Sequence, residues 1–224
     1  MKREDTDKLE ALLRRTTAAL LKTEGLLESE RAARNEPVAI ISMACRFPGG
    51  VDSPESLWRA LAEGKDMVGQ WPKDRWNLDE LYDPDPDAIG KSYTREGGFI
   101  QDIDKFDAHF FEIAPREAQS MDPQQRLLLE TSWEALERAG VVPGTLNESV
   151  TGVYIGMYDS GYHRGSTAEQ LDGYYATGAA CSVASGRLAY TLGLQGPAVT
   201  VDTACSSSLV AMPVSALPDC TCSV

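Results

Sequence analysis

Histidine is almost missing from this chain: only His109 and His163 occur among its 224 residues. Any chemistry that needs an imidazole has two candidates. Cysteine is also sparse, and Cys45, Cys181, Cys205, Cys220 and Cys222 form an odd set without a Cys-x-x-Cys pair or histidines at zinc-ligand spacing. No disulfide framework or zinc module is readable, and a reducing compartment is expected. No run approaches the ~20 apolar residues that span a bilayer, and the start Met-Lys-Arg-Glu-Asp lacks an apolar signal core. A cytoplasmic protein with no membrane partner is the expectation. Basic charge is scarce beyond the first segment. Residues 1–36 balance 8 basic against 8 acidic side chains, which leaves 13 against 26 in the remainder of a chain with net charge −13. Nucleic acid is therefore not an expected partner, because phosphate backbones select basic surfaces.

What remains is ordinary for a soluble globular protein, 42% hydrophobic and 25% charged. The stretch Thr200 to Met212 stands out. A β-branched run, Ala198 to Val201, stops at Asp202, and small residues lead into Leu209, Val210 and Ala211. That pattern reads as strand, sharp turn and buried helix. It places Cys205 at or just before the first turn of the helix, where backbone N–H groups and the positive end of the macrodipole favour a thiolate. Ala204 and the serines leave room above the sulfur for a carbonyl, and backbone N–H groups there suit a developing oxyanion. A free cysteine is more often a small buried core residue. Residue type and spacing alone leave both readings of Cys205 open.

The run Asp-Thr-Ala-Cys-Ser-Ser-Ser-Leu-Val-Ala at 202–211 resembles the active-site motif of β-ketoacyl synthases, and more narrowly of modular type I polyketide synthases. Three further stretches agree in the same order: Glu36 to Gly50, Phe106 to Gly140 with Asp-Pro-Gln-Gln-Arg-Leu-Leu-Leu-Glu inside it, and Ser182 to Pro197. The resemblance covers about residues 36–212. It implies an α/β, thiolase-like fold, of which this chain holds the N-terminal half of a duplicated βα unit. It also implies that Cys205 accepts an acyl chain from the phosphopantetheine arm of an acyl carrier protein, with no cofactor or metal bound directly. Carrier docking on an acidic body would need local basic sites, for which Arg46, Arg59 and Arg116 are the candidates.

Residues 5–34 read as one long helix. Leu13, Leu20 and Leu27 recur every seven residues, Leu9, Thr16 and Thr23 fill the other seam position, and Leu12, Ala19 and Leu26 widen the stripe. At 1.5 Å per residue such a helix is roughly 45 Å long, and with Gly25 inside it needs a partner. The alternatives are packing on its own domain and a parallel two-stranded coiled coil. The segment is similar to the N-terminal docking helices of polyketide synthase subunits, which implies a homodimer that receives the C-terminal tail of an upstream subunit. The expected division is a docking helix over 1–35, a ketosynthase N-terminal portion over 36–212 and an unrelated tail over 213–224.

Between these landmarks the residues predict a scaffold. Val38 to Cys45 reads as a strand apolar on both faces, suited to the middle of a covered parallel sheet. Ser53 and Pro54 start a helix whose Leu57, Trp58 and Leu61 share a face and which Gly64 closes. Asp83, Asp85 and Asp87 superficially match calcium-loop spacing, but Ala88 and Thr94 stand where glycine and glutamate are required, so a solvated loop is expected, pinned by Trp71 and Trp76. Asp122-Pro123-Gln124-Gln125 is a strong helix start with a capping-box glutamine, followed by Leu129, Trp133 and Leu136 and ended by Gly140. Val150 to Met157 alternates as a second strand with Tyr154 on the opposite side. Gly173 to Gly178 reads as a loop, with Tyr174 and Tyr175 structural.

Decarboxylative condensation also needs groups that stabilise an enolate. In the ketosynthase family two histidines and a lysine in motifs beyond the cysteine do this, and those motifs are not in this sequence. His109 reads as structural and His163 as a surface-loop residue. A cysteine-hydrolase pair with Cys205 is the weaker enzymatic alternative. Pro213 is expected to stop the nucleophile helix, and Cys220 and Cys222 fall in the tail. Two functions follow: a ketosynthase fragment whose condensation step is incomplete, or a docking and dimerisation fragment without catalysis.

Overall fold

The computed structural model describes residues 2–34, 37–75, 77–162, 167 and 172–215. The expected long helix is present as α1, Lys2–Arg34. Leu12, Leu13, Leu20, Leu21, Leu26 and Leu27 are all exposed along it. Thr16, Thr17 and Thr23 return their hydroxyls to the carbonyls of Leu12, Leu13 and Ala19, so three polar side chains of the helix bond their own backbone.

The segment 37–46 departs from expectation. It is irregular rather than a strand, with Val38 67% and Ile41 77% exposed. The apolar run correctly describes side chains that require cover on both faces, but a strand also needs neighbours for its amides, and no described strand lies beside it. The segment ends in an anchor. Arg46 forms a two-pronged ion pair with Glu134 and donates to the Asp52 carbonyl at 3.0 Å. The Glu134 hydrogen bond holds the Arg46 guanidinium above its already high range. Arg46 therefore works as an internal tie rather than a free docking cation. Arg116 pairs with Asp172 at 3.1 Å.

Helix α2, Pro54–Ala62, begins as predicted. Ser53 accepts from Ser56 N, the Ser56 hydroxyl accepts from Ser53 N, and Pro54 occupies the first turn. Its apolar face is not buried, however: Trp58 and Leu61 are exposed and Ala60 is the residue inside. A two-residue ribbon follows, β1 (Gly69–Gln70) antiparallel to β2 (Glu96–Gly97), with the short helix α3 (Leu78–Leu81) in the loop between them. Trp71 meets Phe99 edge-on at 6.4 Å, and Trp76 lies outside the described residues. In that loop Asp83 accepts from Asp85 N and Asp85 from Asp87 N, so these carboxylates shape turns.

The central body begins at α4, Pro115–Ser120, and α5, Pro123–Arg138. Asp122 caps α5 by accepting from Gln124 N at 2.8 Å, and Gly140 closes it at φ +70°. The capping box does not form. Gln125 is buried and instead donates to the carbonyls of Thr177, Gly178 and Ala180. Leu129 and Leu136 are core, and Trp133 packs against that core. After a 3₁₀ turn at Pro143–Leu146 comes strand β3, Val153–Gly156, with Val153 and Ile155 buried and Tyr154 on the other face.

Gly173 to Gly178, read as a loop, lies largely within helix α6, Tyr175–Ala179. The tyrosine and threonine obscured a turn that tertiary contact enforces: a Cβ on Gly178 would stand 1.8 Å from the Ser120 carbonyl, so only glycine lets α6 rest on the end of α4. Helix α7, Cys181–Thr191, then returns the chain to strand β4, Ala198–Val201, and helix α8 follows at Ser207–Ser215. Strands β3 and β4 are parallel, pairing Val153 with Ala198 and Gly156 with Val201. Parallel neighbours require a crossover, which α6 and α7 supply. Met121, Leu129, Val153, Ile155, Met157 and Leu188 make the buried centre. No described helix is long and apolar enough to cross a membrane.

Helix α8 does not stop at Pro213 but continues through it to Ser215. The proline lacks the N–H that would bond the carbonyl four residues earlier, yet two further helical residues follow it. Residues 216–224, with Cys220 and Cys222, lie outside the described residues.

Candidate functional site

Strand β4 delivers the chain to a hairpin-sharp elbow. Val201 N–H and C=O groups sit in the parallel ladder, and the Val201 carbonyl accepts from Met157 N at 3.1 Å. Asp202 then leaves the sheet and its carboxylate accepts from Ala204 N at 3.0 Å. Ala204 adopts φ +54°, in the left-handed region that disfavours residues with a Cβ. Cys205 follows, exposed, two residues ahead of Ser207 at the start of α8. The predicted strand, turn and helix are all found, and the sulfur stands just before the first turn. The helix is less buried than expected: Ala211 is inside, while Leu209 and Met212 are exposed.

Several hydrogen bonds lock the elbow. Ser207 is buried, and its hydroxyl accepts from Thr203 N and donates to the Ala204 carbonyl. Ser206 donates to the Thr203 carbonyl. The backbone closes with Ser207 N to Ala204 O at 3.2 Å and Val210 N to Ser206 O at 3.0 Å. From behind, Thr200 donates to buried Ser185 of α7 at 2.9 Å, which fixes β4 against that helix. Gly156 of β3 brings the first turn of α8 close. A Cβ there would lie 2.4 Å from Ser208 N and 2.6 Å from Ser207 C. A glycine inside a strand signals such an approach, yet neither it nor Ser207 emerged as a site residue from the sequence.

Cys45 and Cys181 are half-buried, whereas Cys205 is exposed. Burial pushes the Cys45 thiol up, with Arg46 opposing it. Burial also raises Cys181, reinforced by the carboxylates Asp159, Asp122 and Asp202. Both are held toward the unreactive thiol. His109 occupies an exposed position in the turn before α4, where its carbonyl accepts from Glu112 N. His163 lies outside the described residues. Among the described residues no cluster of three or more histidine, cysteine, aspartate or glutamate side chains is arranged to hold a metal.

A second network stands behind the first turn of α5. Arg187 donates its Nε to Gln125 Oε1 at 2.8 Å and pairs with Glu117, while Ser160 donates to Asp122. A cavity of about 300 Å³ beside it is lined by Asp122, Asp159, Tyr162, Tyr175, Ala179 and Ala180 among others. A larger one of about 520 Å³ lies by the ribbon, with Met67, Arg75 and Phe99 in its wall. Cys205 lines neither.

The parallel βαβ unit, with its cysteine elbow between β4 and α8, belongs to the thiolase-like class of folds that ketosynthase domains share. The chain is a member of the β-ketoacyl synthase family, whose "Beta-ketoacyl synthase, N-terminal domain" matches residues 35–222. It is 56% identical over 203 residues to the pikromycin polyketide synthase component PikAII of Streptomyces venezuelae, covering 89% of this chain and 5% of that protein. Mycoketide-CoA synthase of Mycobacterium tuberculosis is 54% identical over 210 residues, covering 92% and 5%. Among solved structures, the oxazolomycin ketosynthase domain OzmH KS7 of Streptomyces albus JA3453 superposes with a TM-score of 0.71 at 39% identity, covering 79% of this chain and 31% of that one. The ketosynthase from module 6 of the bacillaene synthase of Bacillus subtilis 168 gives 0.66 at 36%, covering 79% and 28%. The chain thus spans a small part of its polyketide synthase relatives and about a third of a solved ketosynthase domain.

Proposed function

We propose that this chain is the acyl-accepting part of a polyketide synthase ketosynthase, with Cys205 as the nucleophile. The observation that supports this reading is an exposed cysteine on a strained, multiply bonded elbow between β4 and α8. The Cys205 thiolate attacks the carbonyl carbon of an acyl thioester on the phosphopantetheine arm of an acyl carrier protein. A new C–S bond forms at Cys205, the old one breaks, and the carrier thiol leaves with a proton. In the complete enzyme of this type, a 3-oxoacyl-[acyl-carrier-protein] synthase, a decarboxylating malonyl-type unit is then condensed with the acyl group in the cytoplasm. The residues described here supply the transfer half of that reaction, and the chain alone is expected not to condense.

Incubation of the folded chain with a short acyl thioester, followed by peptide mass spectrometry, tests this directly. An acyl adduct on Cys205, ahead of Cys45 and Cys181, is the expected result. An adduct confined to the other cysteines, or none in a folded sample, would overturn the assignment.

A second role belongs to α1, on which the seam leucines Leu13, Leu20 and Leu27, flanked by Leu12 and Leu26, are exposed. The reading is that two copies pair along this face as a parallel coiled coil and receive the C-terminal tail of an upstream subunit. A peptide of residues 1–36 is expected to sediment as a dimer. A monomer at millimolar concentration would leave α1 without that role.

A further inference from the structure

We propose that Ser207 is the positioning residue that holds the Cys205 elbow in its left-handed turn, an inference that rests on Cys205 being the acyl acceptor. Residues Asp202 to Ser206 are exposed, whereas Ser207 is 5% exposed. Its single hydroxyl reaches back over the elbow. It accepts from Thr203 N at 2.9 Å and donates to the Ala204 carbonyl at 2.7 Å. The two peptide groups so tied flank the Thr203–Ala204 step, and Ala204 is where the backbone turns to φ +54°.

Left to itself, an alanine leaves that conformation, because its Cβ crowds the neighbouring carbonyl. The other polar ties here are wet. Asp202 accepts from Ala204 N at 3.0 Å, and Ser206 donates to Thr203, both from exposed side chains that water competes for. The bonds of the buried Ser207 hydroxyl are partly shielded and face less of it. Gly156 makes the arrangement possible, since its missing side chain lets the backbone of Ser207 and Ser208 lie against β3. Ser207 is thereby fixed to the sheet, and the turn is fixed to Ser207.

Cys205 follows Ala204 directly, so a rotation at Ala204 carries the sulfur with it. Acyl transfer needs the sulfur near the carbonyl while N–H groups meet the oxyanion, and that alignment is lost by displacements of about an ångström. Alkylation by a small reagent needs only an accessible thiolate. The two reactions therefore separate positioning from mere exposure.

The test uses the full chain as wild type, as Ser207→Ala, and as Ser207→Ala combined with Ala204→Gly. Each is treated with a short acyl thioester and, separately, with iodoacetamide, and both adducts on Cys205 are timed by mass spectrometry. Ser207→Ala is expected to slow acylation about tenfold while alkylation changes by less than about twofold. Glycine occupies the left-handed region without strain, so the double variant is expected to regain most of the acylation rate. A loss of general packing would not be repaired by removing a methyl group at an exposed neighbour. Acylation of Ser207→Ala at the wild-type rate, or a loss that glycine fails to restore, would overturn the role of Ser207 while leaving Cys205 as acceptor. Wild-type protein that is alkylated but never acylated at Cys205 would overturn the acceptor reading and this proposal with it. If Ser207→Ala does not fold, the double variant decides: folding with acylation supports the proposal, and failure overturns it.

Discussion

Gly156→Ala is expected to lower stability by about 2–3 kcal/mol and to abolish acylation of Cys205. The new Cβ would stand 2.4 Å from Ser208 N, 2.6 Å from Ser207 C and 2.7 Å from Ser208 Cα. All three are backbone atoms, so no side chain can rotate away. Either β3 separates from its partner or the first turn of α8 moves outward. The ladder from Val153 to Gly156 is tied to β4 along its whole length, and Val153 and Ile155 are anchored in the core. Helix α8 carries fewer buried groups and is the part that yields. Cys205, at its head, moves with it. Urea unfolding measures the first effect and acyl labelling the second. A variant labelled within about twofold of wild type would show that the close approach of α8 to β3 does not govern the sulfur.

Arg187→Met is expected to destabilise the chain by about 3 kcal/mol, more than its chain length and apolar character would suggest. The guanidinium stands among three partners: Gln125 Oε1, Glu117, and the Thr177 carbonyl at 3.5 Å. Its side chain is 10% exposed and that of Glu117 24%. Methionine fills the volume but leaves a half-buried carboxylate without a counter-charge. It also removes the group that orients Gln125, whose amide holds Gly178 and Ala180. Adding Glu117→Gln to Arg187→Met should return a substantial part of the loss, because the stranded charge is then gone. Denaturant midpoints of the two single variants and the double variant measure this coupling. Additive losses would mean that the pair contributes no specific interaction.

These two sites mark where the sequence became hard to read. Helix starts were legible because they are local. Ser53 with Pro54, and Asp122 with Pro123, carry their hydrogen-bond partners within four residues, and the structure finds both. The strand before Cys205 and the turn after it were legible for the same reason, as a β-branched run meets small residues, whereas residue type and spacing left open whether that cysteine is buried, and the structure places it at the surface. Val38 to Cys45 was misread because strand formation depends on neighbours as well as side chains. Gln125 was assigned to a capping box by spacing, but three carbonyls from the α6–α7 junction, more than fifty residues away, compete for its amide. Arg187 and Glu117 are seventy residues apart and have no local signature. Gly178 lay in a stretch whose composition suggested a loop, and its contact with Ser120 could not be seen from spacing. Gly156, by contrast, carries a local signal, a glycine inside an alternating strand, for the close approach of α8.

The segment 37–46, which pairs with no strand among the described residues, bears on how the protein behaves in handling. It presents Val38, Ile40, Ile41 and Met43 to solvent on a backbone without ladder partners, next to a well-anchored Arg46. Such a stretch is a template for strand addition and a target for holdase chaperones, both of which recognise open amides flanked by aliphatic side chains. Recovery of the chain should therefore fall as expression level rises, and heat-shock proteins of the host should copurify with it until the segment is covered.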